Sequence, residues 1–268
     1  MPIPSPRRTV ASWLAQLAGS IASVLFLGCC RLCDQLLVDA RRILICDDCL
    51  SSFPAIPPGS CEICGQPGAF DPEFPKDAAY CQDCQRHRFA FELARSYALY
   101  EGELVRAVLL LKHQRIEPLG KWFAQQLVAV VQREGERMGA DVIVPVPLHS
   151  QRARERGYNQ VDIFGRPLAR LLGLPYNPLL LVRSRPRPEK HLLRHEERWE
   201  AVRGAFAMRK GGRVDNLRIL LLDDVMTTGA TLDACSRALR EAGAKSVLGL
   251  TIARAGQPIS SFVEAGQV

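Results

Sequence analysis

Ile219-Leu220-Leu221-Leu222-Asp223-Asp224-Val225-Met226-Thr227-Thr228-Gly229-Ala230-Thr231-Leu232 is the stretch of this 268-residue chain that says most about its fold. Four apolar residues run into two carboxylates. The chain then turns through small hydroxyl residues and Gly229 and enters a helix. This reads as a buried parallel strand, from Arg218 to Leu222, that ends in Asp223 and Asp224. In open α/β sheets, ligands sit outside the carboxyl ends of the strands. The helix start behind Gly229 offers unpaired N–H groups and a positive dipole end, which suit a phosphate monoester, and the threonine hydroxyls add donors. Capping alone accounts for an Asp or a Thr at such a turn. An acidic pair, two threonines, a glycine and a third threonine in this order point instead to a ligand site: Thr227, Thr228, Gly229, Ala230 and Thr231 around a phosphate, and Asp223 and Asp224 where an attached ribose displays its hydroxyls. Gly229 is expected to keep the backbone open to the anion.

Upstream, strands and helices alternate. Phe91 to Tyr100 reads as a strand. Glu103 to Lys112 and Leu119 to Met138 place Leu104, Val105, Val108 and Leu109, then Trp122, Leu127, Val130 and Val131, at helical spacing. Asp141 to Pro147 is a short apolar strand entering a basic loop. The next helix, Asn159 to Leu172, carries Val161, Phe164, Leu168 and Leu171 on one face and stops at Gly173 and Pro175. Downstream, the helix after Gly229 ends at Gly243 with Leu232, Cys235 and Leu239 inward, and Ser246 to Ala253 is a further strand. The rhythm is that of an α/β fold, a mainly parallel sheet with flanking helices. With 47% hydrophobic residues the chain can bury a full core.

The net charge of +7 is unevenly spread: His149 to Arg213 holds 15 Lys and Arg against 6 Asp and Glu. Such a block fits a phosphate-rich partner, small ligand or nucleic acid, and also a solvated Arg-rich loop. His191 and His195 fall in it, on an expected loop.

Nine of the ten cysteines fall between Cys29 and Cys84. Eight form Cys-x-x-Cys pairs: Cys30/Cys33, Cys46/Cys49, Cys61/Cys64 and Cys81/Cys84. A two-residue gap lets both thiolates of a turn face one tetrahedral metal, so the spacing favours structural Zn²⁺ over disulfides or redox pairs. Gly65 supplies the permissive backbone of one knuckle. His87 is a spare ligand or a surface residue. The spacing leaves the grouping of the pairs, and one or two zinc ions, undetermined. Arg7, Arg8 and the apolar run from Trp13 to Leu27 before Cys29 resemble a lipoprotein signal. The run is short and broken by Gln16, Gly19, Ser20 and Ser23, and reduced thiols behind it suit a cytoplasmic protein, so an N-terminal helix with no membrane span is expected. The expected segments are this helix at 1–28, a zinc-binding module at 29–88, the sheet domain at 89–255 and a tail at 256–268.

The acidic-pair loop looks like the phosphoribosyl pyrophosphate (PRPP) motif of type I phosphoribosyltransferases. The Cys-x-x-Cys pairs, then Val144-Pro145-Val146-Pro147-Leu148-His149, Arg152, Arg156-Gly157-Tyr158-Asn159-Gln160 and finally the Asp-Asp loop resemble the ComF/GntX family in order and spacing, over about residues 28 to 255. The resemblance implies a type I phosphoribosyltransferase-like domain behind a zinc module, PRPP or a related ribose phosphate as ligand with Mg²⁺, and a family link to DNA uptake during competence. It implies that Asp223 and Asp224 are the catalytic pair at the ribose hydroxyls, that Thr227 to Thr231 wrap the 5-phosphate, and that Lys112, Arg152 and Arg156 face pyrophosphate. The implied reaction is a pentosyl transfer, the glycosyltransferase chemistry of a phosphoribosyltransferase: a nucleophile displaces pyrophosphate at the anomeric carbon. Arg187, Lys190 and Ala201 stand where family members carry Thr, Gln and Asn, while Arg183, His191, Leu193 and Arg198 fit the pattern. The departures fall where a loop would close on the acceptor, which leaves the acceptor and turnover open. The alternative is a non-catalytic zinc-containing adaptor that binds single-stranded DNA or a DNA-processing protein.

Overall fold

The computed structural model describes residues 28–37, 43–68, 80–86, 88–185 and 195–256. The expected helix over Trp13 to Leu27, His87, Arg187, Lys190, His191 and Leu193 lie outside these residues. The chain divides into two compact units, residues 1–52 and 53–268. In the first, Cys29 bridges Leu36 in antiparallel fashion and a single-turn helix α1, Asp47–Ser51, is capped by Cys46, whose sulfur accepts from the Cys49 amide.

The second unit begins with the short helix α2, Gln82–Arg86, and then builds a four-stranded sheet. Strand β1, Leu93–Leu99, is followed by helices α3, Gly102–Gln114, and α4, Glu117–Glu134. Strand β2, Val142–Pro145, leads to α5, Ser150–Arg156, and α6, Gln160–Leu172. After a small antiparallel pair, β3, Leu181–Arg183, and β4, Phe206–Met208, with the helix α7, His195–Glu200, between them, the chain returns to the sheet as β5, Arg218–Met226. Helix α8, Ala230–Glu241, and β6, Ser246–Arg254, complete it.

All pairings in the sheet are parallel, in the order β1-β6-β5-β2. The two central strands, covered on both faces, therefore read as near-continuous apolar runs rather than alternating ones. Alternate residues of a strand face opposite sides. Ile219 and Leu221 share a core with Leu232, Cys235 and Leu239 of α8, so Leu220 and Leu222 face the other layer, where α4 and α6 pack together. Gly120 and Ile163 make that second contact close: a Cβ at Gly120 would lie 2.7 Å from the Ile163 carbonyl oxygen.

Several expectations need correction. Strand β5 does not stop at Leu222; its ladder with β6 continues to the pair Met226–Arg254, so Asp223 and Asp224 lie within the strand. The carboxylates did not end it because backbone pairing on the β6 side is indifferent to side-chain charge once one face opens to a cleft. The basic loop after β2 contains a helix, α5, started by His149, whose Nδ1 accepts from the Gln151 amide, and stopped by Gly157 at φ 75°. His195 begins a helix rather than sitting in a loop. Leu109 and Leu171, placed inward by periodicity, are exposed: each lies at the edge of an apolar stripe that is narrower than the spacing suggested. Among the described residues no helix is long and apolar enough to cross a membrane.

Candidate functional site

The C-terminal end of β5 and the start of α8 form the floor of a cleft. Asp224 is almost fully buried, and its Oδ2 lies 3.0 Å from Nζ of Lys112, at the end of α3. The same oxygen accepts a 2.9 Å hydrogen bond from Nε2 of Gln160, the first residue of α6. Gln160 in turn accepts a 2.5 Å bond from Nη1 of Arg156. Two cationic side chains thus reach one buried carboxylate, Lys112 directly and Arg156 through an amide. Asp223 sits beside it, half-buried, and its Oδ1 accepts from the Asp224 amide at 2.8 Å.

Above this group lies a cavity of about 840 Å³, lined by Lys112, Arg152, Arg156, Asp223, Asp224 and Thr231, with Gln160 and Arg183 beside them. A smaller recess over the loop adds Thr227 and Gly229 and shares Tyr100, Lys112 and both aspartates. The fold therefore brings Lys112, Arg152, Arg156, the acid pair, Thr227, Gly229 and Thr231 to one opening. Thr228 and Ala230 are buried beneath it, where the Thr228 hydroxyl accepts from the Ala230 amide at 3.3 Å.

Gly229 has φ +81°, a conformation costly for any residue with a Cβ. A Cβ there would come within 2.9 Å of Met226 Cε and 3.1 Å of Phe89 Cε1. The glycine is thus required by the turn and by the packing against Met226 and Phe89, not by an open approach for an anion.

Tyr158 fixes the end of α3: its hydroxyl is 3.0 Å from the Leu111 and Lys112 carbonyls and accepts from the Arg115 amide at 3.1 Å. That tether holds Lys112 over the sheet. Gln160 was not singled out as a site residue from sequence. The available signal was a polar residue directly after a capping residue, Asn159, at a position the helix turns inward.

The eight paired cysteines form two groups, Cys30/Cys33/Cys46/Cys49 and Cys61/Cys64/Cys81/Cys84, each with all four sulfurs within 4.8 Å. The pairs therefore combine consecutively. Sulfur separations are 3.9 Å for Cys30–Cys49, 3.6 Å for Cys33–Cys46, and 3.5 Å for both Cys61–Cys84 and Cys64–Cys81. A disulfide needs about 2.05 Å. A tetrahedral Zn²⁺ with Zn–S near 2.3 Å puts its ligand sulfurs about 3.8 Å apart, so both groups fit a metal ion. Hydrogen bonding among the four thiols, chiefly with Cys64, holds Cys61 far below the ordinary thiol range, while Cys84 is pushed far above it, chiefly by Cys61 and Cys64. Backbone amides support the sulfurs, as from Leu32 and Cys46 to Cys30 Sγ at 3.4 and 3.3 Å. Gly65, at φ 65°, turns the second group's first knuckle, and its amide bonds the Cys61 carbonyl.

Residues 163–259 match the model of the phosphoribosyl transferase domain. The chain is 26% identical to competence protein F of Haemophilus influenzae, over 79% of this chain and 90% of that protein. It is 30% identical to the DNA utilization protein YhgH of Salmonella typhimurium, over 70% and 80%, and 27% identical to competence protein ComFC of Bacillus subtilis, over 78% and 84%. Among solved structures, the adenine phosphoribosyltransferase of Leishmania tarentolae is 20% identical, covering 52% of this chain and 69% of that one with a TM-score of 0.32. A fold with four parallel strands, an acid pair within β5, a phosphoribosyl transferase match and two four-cysteine groups, together with 30% identity over most of a relative, makes the chain a member of the ComF/GntX family, with a phosphoribosyltransferase-like domain.

Proposed function

We propose that the cleft binds PRPP or a related ribose 5-phosphate with Mg²⁺, and that it transfers the phosphoribosyl group to an acceptor. The observation that carries this reading is the pairing of Asp224 with Lys112 and, through Gln160, with Arg156, beside the Thr227–Thr231 turn. A phosphorylated ribose needs acceptors for its hydroxyls, donors for its 5-phosphate and cations for its pyrophosphate. The cleft offers all three within one opening.

In this reading the α8 N-terminus and the Thr227 and Thr231 hydroxyls hold the 5-phosphate. Asp223 and Asp224 accept from the ribose hydroxyls through charge-assisted hydrogen bonds. Asp223 and Asp224 are the cleft carboxylates that would hold a Mg²⁺–ligand complex, and the ion would supply neutralisation of phosphate charge there. Lys112, Arg152 and Arg156 stabilise the charge that grows on the leaving pyrophosphate, and positioning rather than covalent chemistry lowers the barrier. Each four-cysteine group holds one Zn²⁺ as a structural ion. Calorimetry with PRPP and Mg²⁺, followed by a pyrophosphate-release assay over bases and amines, tests the proposal. Binding with acceptor-dependent release is expected; no binding at millimolar PRPP would overturn it.

A second reading, a DNA-binding adaptor, is favoured by the names of the relatives and by a further groove on α4 and α6. Arg115, Lys121, Arg166 and Arg170 line it together with Tyr158 and two carboxylates, Glu117 at 3.6 Å from Arg115 and Asp162 at 3.5 Å from Arg166. Binding of PRPP without pyrophosphate release from any acceptor, alongside salt-sensitive binding of single-stranded DNA, would favour this reading over turnover.

A further inference from the structure

Arg254 is the last residue of β6, 2% exposed, and heads the fully buried side chains in size. Its guanidinium spans two places. On one side Nε donates to the Cys64 carbonyl at 3.3 Å and Nη2 faces Cys64 Sγ at 3.8 Å. On the other, Nη1 donates to the carbonyls of Met226, at 3.1 Å, and of Thr227 and Ala255. Met226 and Thr227 open the turn that leads to Gly229 and Thr231. One rigid, planar cation therefore touches both the second four-cysteine group and the first residues of the proposed phosphate turn.

Charge makes this more than a strut. An arginine stays protonated in proteins, and burying it without an anion is costly. Among the described residues no carboxylate pairs with Arg254; its neighbours are carbonyl oxygens and a sulfur. The anion within reach is the Cys61/Cys64/Cys81/Cys84 group, which carries two net negative charges when four thiolates hold one divalent ion. Loss of that ion releases the Cys64 knuckle that Nε and Nη2 grip, and the guanidinium, with its contacts to the Met226–Thr227 turn, is then free to shift.

We propose that Arg254 is a positioning residue that couples the metal-loaded state of the Cys61–Cys84 centre to the shape of the Met226–Thr231 turn, so that the ribose-phosphate site is formed only when that centre is intact. This deepens the proposed function and rests on it for the identity of the ligand, but the coupling itself is read without one.

The test uses the full chain and amide hydrogen exchange of the 226–231 segment, with zinc content measured alongside. In wild-type protein, removing the ion from the second centre, either by chelation or by Cys84→Ser, is expected to speed exchange in this segment roughly tenfold, within the usual range of coupling between sites. Arg254→Lys, which keeps the charge but loses the fork, is expected to show the faster exchange while still holding both ions. Arg254→Gln provides the same readout should the lysine variant fail to fold. PRPP with Mg²⁺ is expected to raise the equilibrium zinc affinity of the second centre, read by competition with a chelator of known affinity, in wild-type protein and not in Arg254→Lys, as reciprocity of binding free energies requires. Unchanged exchange in 226–231 after metal loss, or in a folded Arg254 variant, overturns the coupling. Coupled exchange in a protein that does not bind PRPP upholds it while overturning the ligand assignment.

Discussion

Replacing Asp224 by Asn tests the centre of the cleft with the least change of shape. The wild-type carboxylate is buried and holds the Lys112 ammonium at 3.0 Å and the Gln160 amide at 2.9 Å. Asn keeps one acceptor but loses the charge. Removing one partner of a fully buried ion pair costs about 3–5 kcal/mol. The Lys112 side chain is 15% exposed and opens on the cleft, so water can replace part of the loss. About 1–2 kcal/mol of stability is therefore expected to go, or a melting temperature lower by roughly 2–8 °C for a unit of this size. PRPP should suffer more, because a charge-assisted bond to a ribose hydroxyl and the alignment of Lys112 disappear together: about 2–3 kcal/mol, a 30- to 150-fold weaker Kd. A double-mutant cycle with Lys112→Met separates the two. If the ion pair positions Lys112, the double variant should bind PRPP no worse than Asp224→Asn by more than about threefold, since the coupled partners share one loss. Isothermal titration of the four proteins reads this directly. A Kd for Asp224→Asn within threefold of wild type would refute the assignment of this carboxylate to the ribose.

Purified under reducing conditions, the chain is expected to carry two zinc ions, one per four-cysteine group, and to lose them to a chelator with exposure of eight reactive thiols; metal-free protein with disulfides would sink the metal reading. Gly229→Ala should lose about 1–3 kcal/mol in chemical denaturation and weaken PRPP, because φ +81° and the Met226 and Phe89 contacts both oppose a Cβ. Retained stability and affinity would show that the turn tolerates a side chain. Tyr176 donates to Asp162 Oδ1 at 2.6 Å, and burial, then the Asp162 charge, raises its hydroxyl well above the ordinary tyrosine value. The unfolded chain releases this proton near pH 10 while the folded one keeps it, so stability falls as pH rises above about 10. Tyr176→Phe should flatten that fall in denaturation curves from pH 9 to 11, and an unchanged slope would place the titration elsewhere.

Much of this molecule is legible in its sequence where the deciding forces are local. The run from Ile219 to Leu232 announces strand, turn and helix because apolar residues, a positive-φ glycine and helix-forming residues each act within a few positions. The four Cys-x-x-Cys pairs announce candidate metal ligands for the same reason: a two-residue gap sets the bite of one knuckle regardless of what surrounds it. Tertiary structure alone decided how those pairs combine, since joining Cys61 and Cys64 to Cys81 and Cys84 depends on how the intervening chain returns. It also decided that β5 runs on to Met226, because the neighbouring β6 supplies backbone partners that no property of Asp223 or Asp224 reveals. Gln160 reaches Asp224 across 64 positions, and Arg254 reaches Cys64 across 190. Such meetings are set by the parallel register of β5 and β6 and by the reach of particular side chains, quantities that arise only when distant segments share one sheet. The sequence thus determined which chemistry the chain carries. The packing of the sheet determined which of those groups meet, and through Arg254 it set the turn beside a cysteine centre that the chain makes more than a hundred residues earlier.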